Sequence, residues 1–119
     1  DLAGPLACYA RGDRPARSVE AAKSNYSKAD FWDSRFRDAE GLFDWYATYN
    51  ELGDLFDEFC PSAKTNEVLV VGSGNSAFSG ELCQAGYRKI TNIDVSPAAI
   101  EKMADAFKEL GMNWLVMDA

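Results

Sequence analysis

The residues with the plainest chemical use are two glycines and two carboxylates. Gly72-Ser73-Gly74-Asn75-Ser76 follows the β-branched run Val68-Leu69-Val70-Val71 and precedes a helical stretch. A strand feeding a Gly-x-Gly turn lets backbone approach a ligand where a Cβ would collide. The helix after such a turn aims its free N–H groups at whatever is bound there. Asp94 lies 22 residues beyond Gly72, at the end of a second run, Ile90-Thr91-Asn92-Ile93-Asp94. A carboxylate so placed can accept both hydroxyls of a ribose, a role usually found about 20 residues past the glycines. Asp118 closes a third run, Trp114-Leu115-Val116-Met117, within reach of an adenine edge. Singly, the turn is more often structural, and Asp94 serves equally well as a cap for the next helix. Three strand ends facing one crevice point together to a nucleoside-bearing cofactor. Because residues 72–77 also fit G-x-G-x-x-G/A, NAD stays open as that cofactor.

The elements that must position these groups alternate in period. Asp30 is expected to cap a short helix through 31–37. From Trp45, the apolar positions Trp45, Tyr49, Leu52, Phe56 and Phe59 mark one face of an amphipathic helix ended by Pro61. The run 68–71 suits a strand buried on both faces. A helix through Phe78, Leu82 and Cys83 should close at Gly86. Ser96-Pro97 reads as an N-cap with proline at the first helical position, opening a helix with Ile100, Met103, Phe107 and Leu110 on one face and Gly111 at its end. Strand, helix, strand, helix, strand implies an α/β fold: a Rossmann-like parallel sheet with crossover helices after an aromatic-rich helical lead-in. Residues 1–29 are expected to hold a flexible leader, punctuated by Gly and Pro, and the start of the lead-in; 30–119 should form the amino-terminal part of one domain.

Composition narrows the classes. The 119 residues hold 47% hydrophobic and 13% aromatic side chains, enough for a core. A net charge of −7, from 19 acidic and 12 basic residues, works against nucleic-acid binding and against anionic membranes. No run reaches the length of a membrane span. With no histidine, His catalysis and His metal sites are excluded. Cys8, Cys60 and Cys83 lack metal-like spacing and read as reduced thiols of a cytoplasmic protein.

The motifs resemble a known group. Residues 68–76 look like the glycine motif of the seven-strand S-adenosylmethionine-dependent methyltransferases. More narrowly they are similar to the methyltransferase-like 13 and endothelin-converting-enzyme-2-associated group, which reads V-L-V-x-G-C-G-N-S. Phe31-Trp32-Asp33-Ser34-Arg35-Phe36 resembles its Y-W-D-x-R-Y, and Phe43-Asp44-Trp45-Tyr46 its F-D-W-Y. Stretches 86–96 and 117–118 match as well, so the likeness covers about residues 30–119. The resemblance implies S-adenosylmethionine contacts at Trp32, Phe36, Trp45, Gly72, Gly74, Asn75, Asp94, Val95, Asp118 and Ala119. Ser73 stands where the group has Cys, and Phe36 where it has Tyr, which removes a hydroxyl but keeps the ring.

That group methylates lysines, or the N-terminal amine, of translation elongation factor one alpha, so the implied partner is a protein with a basic surface. S-adenosylhomocysteine would be the product. No candidate base for the acceptor stands out, and the catalytic residues stay open. A chain that begins at Asp1 and stops after a third strand reads as part of the domain, with 68–71 left as an open apolar edge for a second copy or a complementing chain. Two further readings remain: a half-domain serving as a non-catalytic binding or assembly module, and an NAD-binding domain.

Overall fold

The computed structural model describes residues 25–61 and 64–119; the Arg-bearing stretch 1–17 and Cys8 lie outside them. Two helices lead in, α1 (Ala29–Asp38) and α2 (Tyr49–Phe59). Then follow β1 (Glu67–Val71), α3 (Phe78–Gln84), β2 (Lys89–Asp94), α4 (Pro97–Ala106), a 3-10 turn at Lys108–Leu110 and β3 (Asn113–Val116). The sheet has the order β1-β2-β3 and is parallel throughout, Val71 pairing with Ile93 and Ile93 with Leu115. This is the expected α/β, Rossmann-like arrangement with its helical lead-in.

β2 is central and the most deeply buried strand, with Ile90, Asn92, Ile93 and Asp94 all inside. Burying Asn92 requires partners: its amide nitrogen donates to the Asn113 carbonyl at 3.2 Å, and its side-chain oxygen accepts from the Ser79 hydroxyl. Leu82, Cys83, Tyr87, Ile90, Met103, Phe107 and Met112 form the core between the sheet and its helices, with Tyr49 of α2 closing it. The Phe107 ring stacks on Trp114 at 6.3 Å and lies over Gly80, where a side chain would not fit.

Three local expectations change. The strand at 68–71 is not buried on both faces: Leu69 and Val71 are 59% and 56% exposed, because β1 is a sheet edge and only the Val68–Val70 face meets helices. Trp45 is not on α2. That helix starts four residues later, where Thr48 takes the N-cap position and its backbone N–H donates to Glu51 Oε2 at 2.9 Å, half of a capping box. Asp30 lies in the first turn of α1 rather than capping it, Lys28 holding the N-cap position without a side-chain hydrogen bond. The Ser96-Pro97 start behaves as its residues dictate, Ser96 Oγ accepting from Ala99 N at 3.1 Å, and Gly111 ends the helical segment at φ 70°.

Candidate functional site

Parallel strands converge their carboxyl ends on one rim, and there the chain leaves a cavity of about 320 Å³. That is near the lower end of the ~300–1,000 Å³ usual for small-molecule sites. Its floor is the glycine turn. Gly72 and Gly74 take φ +66° and +50°, a region L side chains avoid. Ser73 N donates to Ile93 O at 3.1 Å, pinning the turn to β2.

Asp94 sits at the hub of this floor. Its Oδ2 accepts from Gly74 N at 2.8 Å and its Oδ1 from Ser96 N at 2.9 Å. Asp94 thus caps the approach to α4 and ties down the glycine turn. Each oxygen keeps a further lone pair, and the residue lines the cavity. The backbone next to it is also tied, Met117 N donating to Asp94 O at 2.9 Å, which carries β3's end toward the same rim. Val95, Asp118 and Ala119 complete that side.

The lead-in supplies the facing wall. Trp32 and Phe36 stack at 5.9 Å and 21°, and Trp45 meets Trp32 edge-on at 6.3 Å. The Arg35 guanidinium lies 5.4 Å from the Trp45 ring, a cation–π contact, and Trp32 Nε1 donates to Tyr26 O at 2.7 Å. Phe36 rests directly against Gly74: a Cβ there would come within 3.0 Å of its ring. Two hydrogen bonds join wall to floor: Phe43 N donates to Asn75 O at 2.9 Å, and the Asn75 side-chain Nδ2 donates to Gly41 O at 3.1 Å.

All ten residues singled out in the sequence therefore line one cavity: Trp32, Phe36, Trp45, Gly72, Gly74, Asn75, Asp94, Val95, Asp118 and Ala119. Asp44 and Ser76 line it too and were not singled out. Ser76 Oγ donates to Asp44 Oδ1, and burial pushes the Asp44 carboxyl above its ordinary range. Asp44 belongs to the F-D-W-Y stretch, beside Trp45.

The donor set suits an adenosine-bearing group. Nothing lies within 4 Å of where a Gly72 Cβ would stand, so the turn offers an open cradle. Ser73 Oγ is buried on the cavity without a hydrogen-bond partner. Rings on one side, backbone on another and a carboxylate at a strand end give stacking, close approach and hydroxyl recognition. Among the described residues no cluster of His, Cys, Asp or Glu could hold a metal, and no helix is long and apolar enough to cross a membrane.

No family profile matches the chain. Curated proteins do. It is 36% identical over 100 residues to a Drosophila melanogaster protein named eEF1A lysine and N-terminal methyltransferase homolog, a match covering 82% of this chain and 15% of that protein. It is 35% identical over 96 residues to the Homo sapiens eEF1A lysine and N-terminal methyltransferase, covering 78% and 13%. Against the Mus musculus EEF1A lysine methyltransferase 4 the figures are 32% over 110 residues, covering 87% and 42%. The chain thus spans less than half the length of each of these relatives.

Proposed function

We propose, on the premise that this chain belongs to the family of the eEF1A lysine methyltransferases, that it carries the S-adenosylmethionine site of a protein-lysine methyltransferase. One observation carries the reading. The glycine turn, the strand-end carboxylates Asp94 and Asp118, and the Trp32, Phe36 and Trp45 rings enclose a single cavity. When bound, the cofactor supplies an activated methyl group for attack by an acceptor's lone pair. What the chain's own residues do is positional. The turn presents backbone, Asp94 accepts hydrogen bonds from hydroxyls without having to move, and the rings exclude water. No described residue is assigned as base for the acceptor amine.

The acceptor on this reading is a lysine of a basic protein surface of the elongation-factor kind, in keeping with the relatives' names and with a net charge of −7. Nucleic acid and membrane are not among the proposed partners. The place of work is the cytoplasm, where the free thiols of Cys60 and Cys83 would persist.

Calorimetric titration of the full-length polypeptide carrying this sequence with S-adenosylhomocysteine tests the site. Saturable binding is expected, weakened at least tenfold in Asp94→Ala, which removes an acceptor of several charge-assisted hydrogen bonds. A folded protein that ignores S-adenosylhomocysteine would leave the non-catalytic module as the better reading, and retention of NAD instead would replace the cofactor.

A further inference from the structure

The aromatic wall stands on a helix with little apolar anchorage: Phe36 is the one buried residue of α1. Polar ties hold it instead, one at mid-helix and one at its carboxyl-terminal end. At mid-helix, Asp33 Oδ1 accepts from Ser96 Oγ and from Ala98 N, both at 2.9 Å. Asp33 thus serves the first turn of α4 from another helix. These bonds, with Arg37 on the next turn, hold its carboxyl below the ordinary aspartate range. At the carboxyl-terminal end the exchange is reversed. Lys102 of α4 donates to the carbonyls of Phe36, Arg37 and Ala39 at 2.6, 2.7 and 3.2 Å, satisfying acceptors that a helix end leaves open.

The Asp33 tie also runs on into the floor. Ser96 donates from its hydroxyl to Asp33 and from its backbone to Asp94, and Asp94 receives Gly74 N. One unbroken hydrogen-bonded path therefore joins the wall helix to the glycine turn. Trp32 and Phe36 flank Asp33 on that helix, and both line the cavity.

We propose that Asp33 and Lys102 are positioning residues of the site, a reciprocal clamp that sets the Trp32–Phe36 wall against the glycine turn and so couples docking of α1 to occupancy of the cavity. The proposal rests on the cofactor reading above. Neither residue needs to touch the bound molecule. Their effect is on where the rings stand when it arrives, and a bound molecule that engages Asp94 firms the same path from the other side.

The experiment uses the full-length polypeptide and four forms: wild type, Asp33→Ala, Asp33→Asn and Lys102→Met. S-adenosylhomocysteine affinity is read by calorimetry and backbone hydrogen exchange by mass spectrometry. Asp33→Ala and Lys102→Met should speed exchange across 29–38 while 89–94 stays protected, and should weaken binding roughly tenfold, about the effect of losing a hydrogen bond to a charged group. Saturating ligand should restore the protection of 29–38. Asp33→Asn, which keeps an acceptor oxygen for Ser96 and Ala98, should recover most of the affinity. That rescue separates positioning from a general loss of structure. Wild-type affinity in Asp33→Ala and Lys102→Met, with 29–38 loosened, would overturn the clamp while leaving the cofactor site intact. A wild type that binds no S-adenosylhomocysteine would overturn both.

Discussion

The two turn glycines differ in what a methyl group would meet, and that difference is measurable. Both hold positive φ, so alanine at either costs about 1–2 kcal/mol of backbone strain. A Cβ on Gly72 meets nothing within 4 Å, whereas one on Gly74 meets the Phe36 ring at 3.0 Å. Gly74→Ala is expected to lose about 1 kcal/mol more stability than Gly72→Ala in urea unfolding, and the excess should vanish in a Phe36→Leu background. The glycine spacing and the Asp94 interval were legible because strand, turn and carboxylate are adjacent along the chain. That Asp94 spends two lone pairs on Gly74 N and Ser96 N was not, since both roles considered for it, cap and ribose acceptor, place the same residue type at the same position. Asp44 stands within F-D-W-Y, but its pairing with Ser76 was not legible, because the two are 32 residues apart and no local period links them.

Beside their local caps, the first turns of α2 and α4 donate hydrogen bonds to distant side chains. Glu81 of α3 accepts from Tyr49 N at 2.8 Å, holding the start of α2 against the core. Burial raises the Glu81 carboxyl above its ordinary range despite the backbone donors that lower it. A group whose folded-state value is raised binds more protons folded than unfolded, so it lowers stability as pH climbs from the ordinary glutamate range through the raised value. Glu81→Gln keeps an acceptor for Tyr49 N and removes that titration. Its stability relative to wild type should therefore be more favourable at pH 7 than at pH 4 by urea unfolding; an equal difference at both would argue against a raised carboxyl. Gly80 gives a second test on the same helix. Alanine ordinarily gains about 1 kcal/mol over glycine inside a helix, but here its Cβ would stand 2.5 Å from a Phe107 ring that is buried and stacked on Trp114. Gly80→Ala should instead lose about 1–2 kcal/mol, read as a lower urea midpoint. The Ser96-Pro97 start and the Gly111 stop were readable from residue type. The start of α2 could have been read from Thr48-x-x-Glu51, but the apolar spacing ran back past it to Trp45, whose ring serves the cavity wall and not a helix face.

At the scale of the molecule, one sheet face is covered by helices and the other presents Leu69, Val71, Leu115 and Met117, each about half exposed. Cross-strand register places Val71, Ile93 and Leu115 in one row on that face. Such a surface self-associates in water unless something covers it. The 119 residues produced alone should sediment as oligomers, and Leu69→Lys with Leu115→Lys should shift them toward monomer. A wild-type sample that remains monomeric at high concentration would show the face to be tolerated bare. The sheet's parallel order was legible from the alternation of elements. Exposure of β1 followed from its place at the edge and from the face that no helix covers, neither of which a β-branched run encodes.

The cavity's opposing walls come from residues 32–45 and 71–119, stretches separated by the whole of α2. During synthesis the rings of Trp32, Phe36 and Trp45 emerge long before Asp94 and Asp118, and for that interval they have no floor to stand against. The contacts that finish the site are among the longest-range in the chain and should form late in folding. A ligand that binds there would add stability only once the lead-in rings and the sheet have come together, and so would favour the fully assembled chain by mass action.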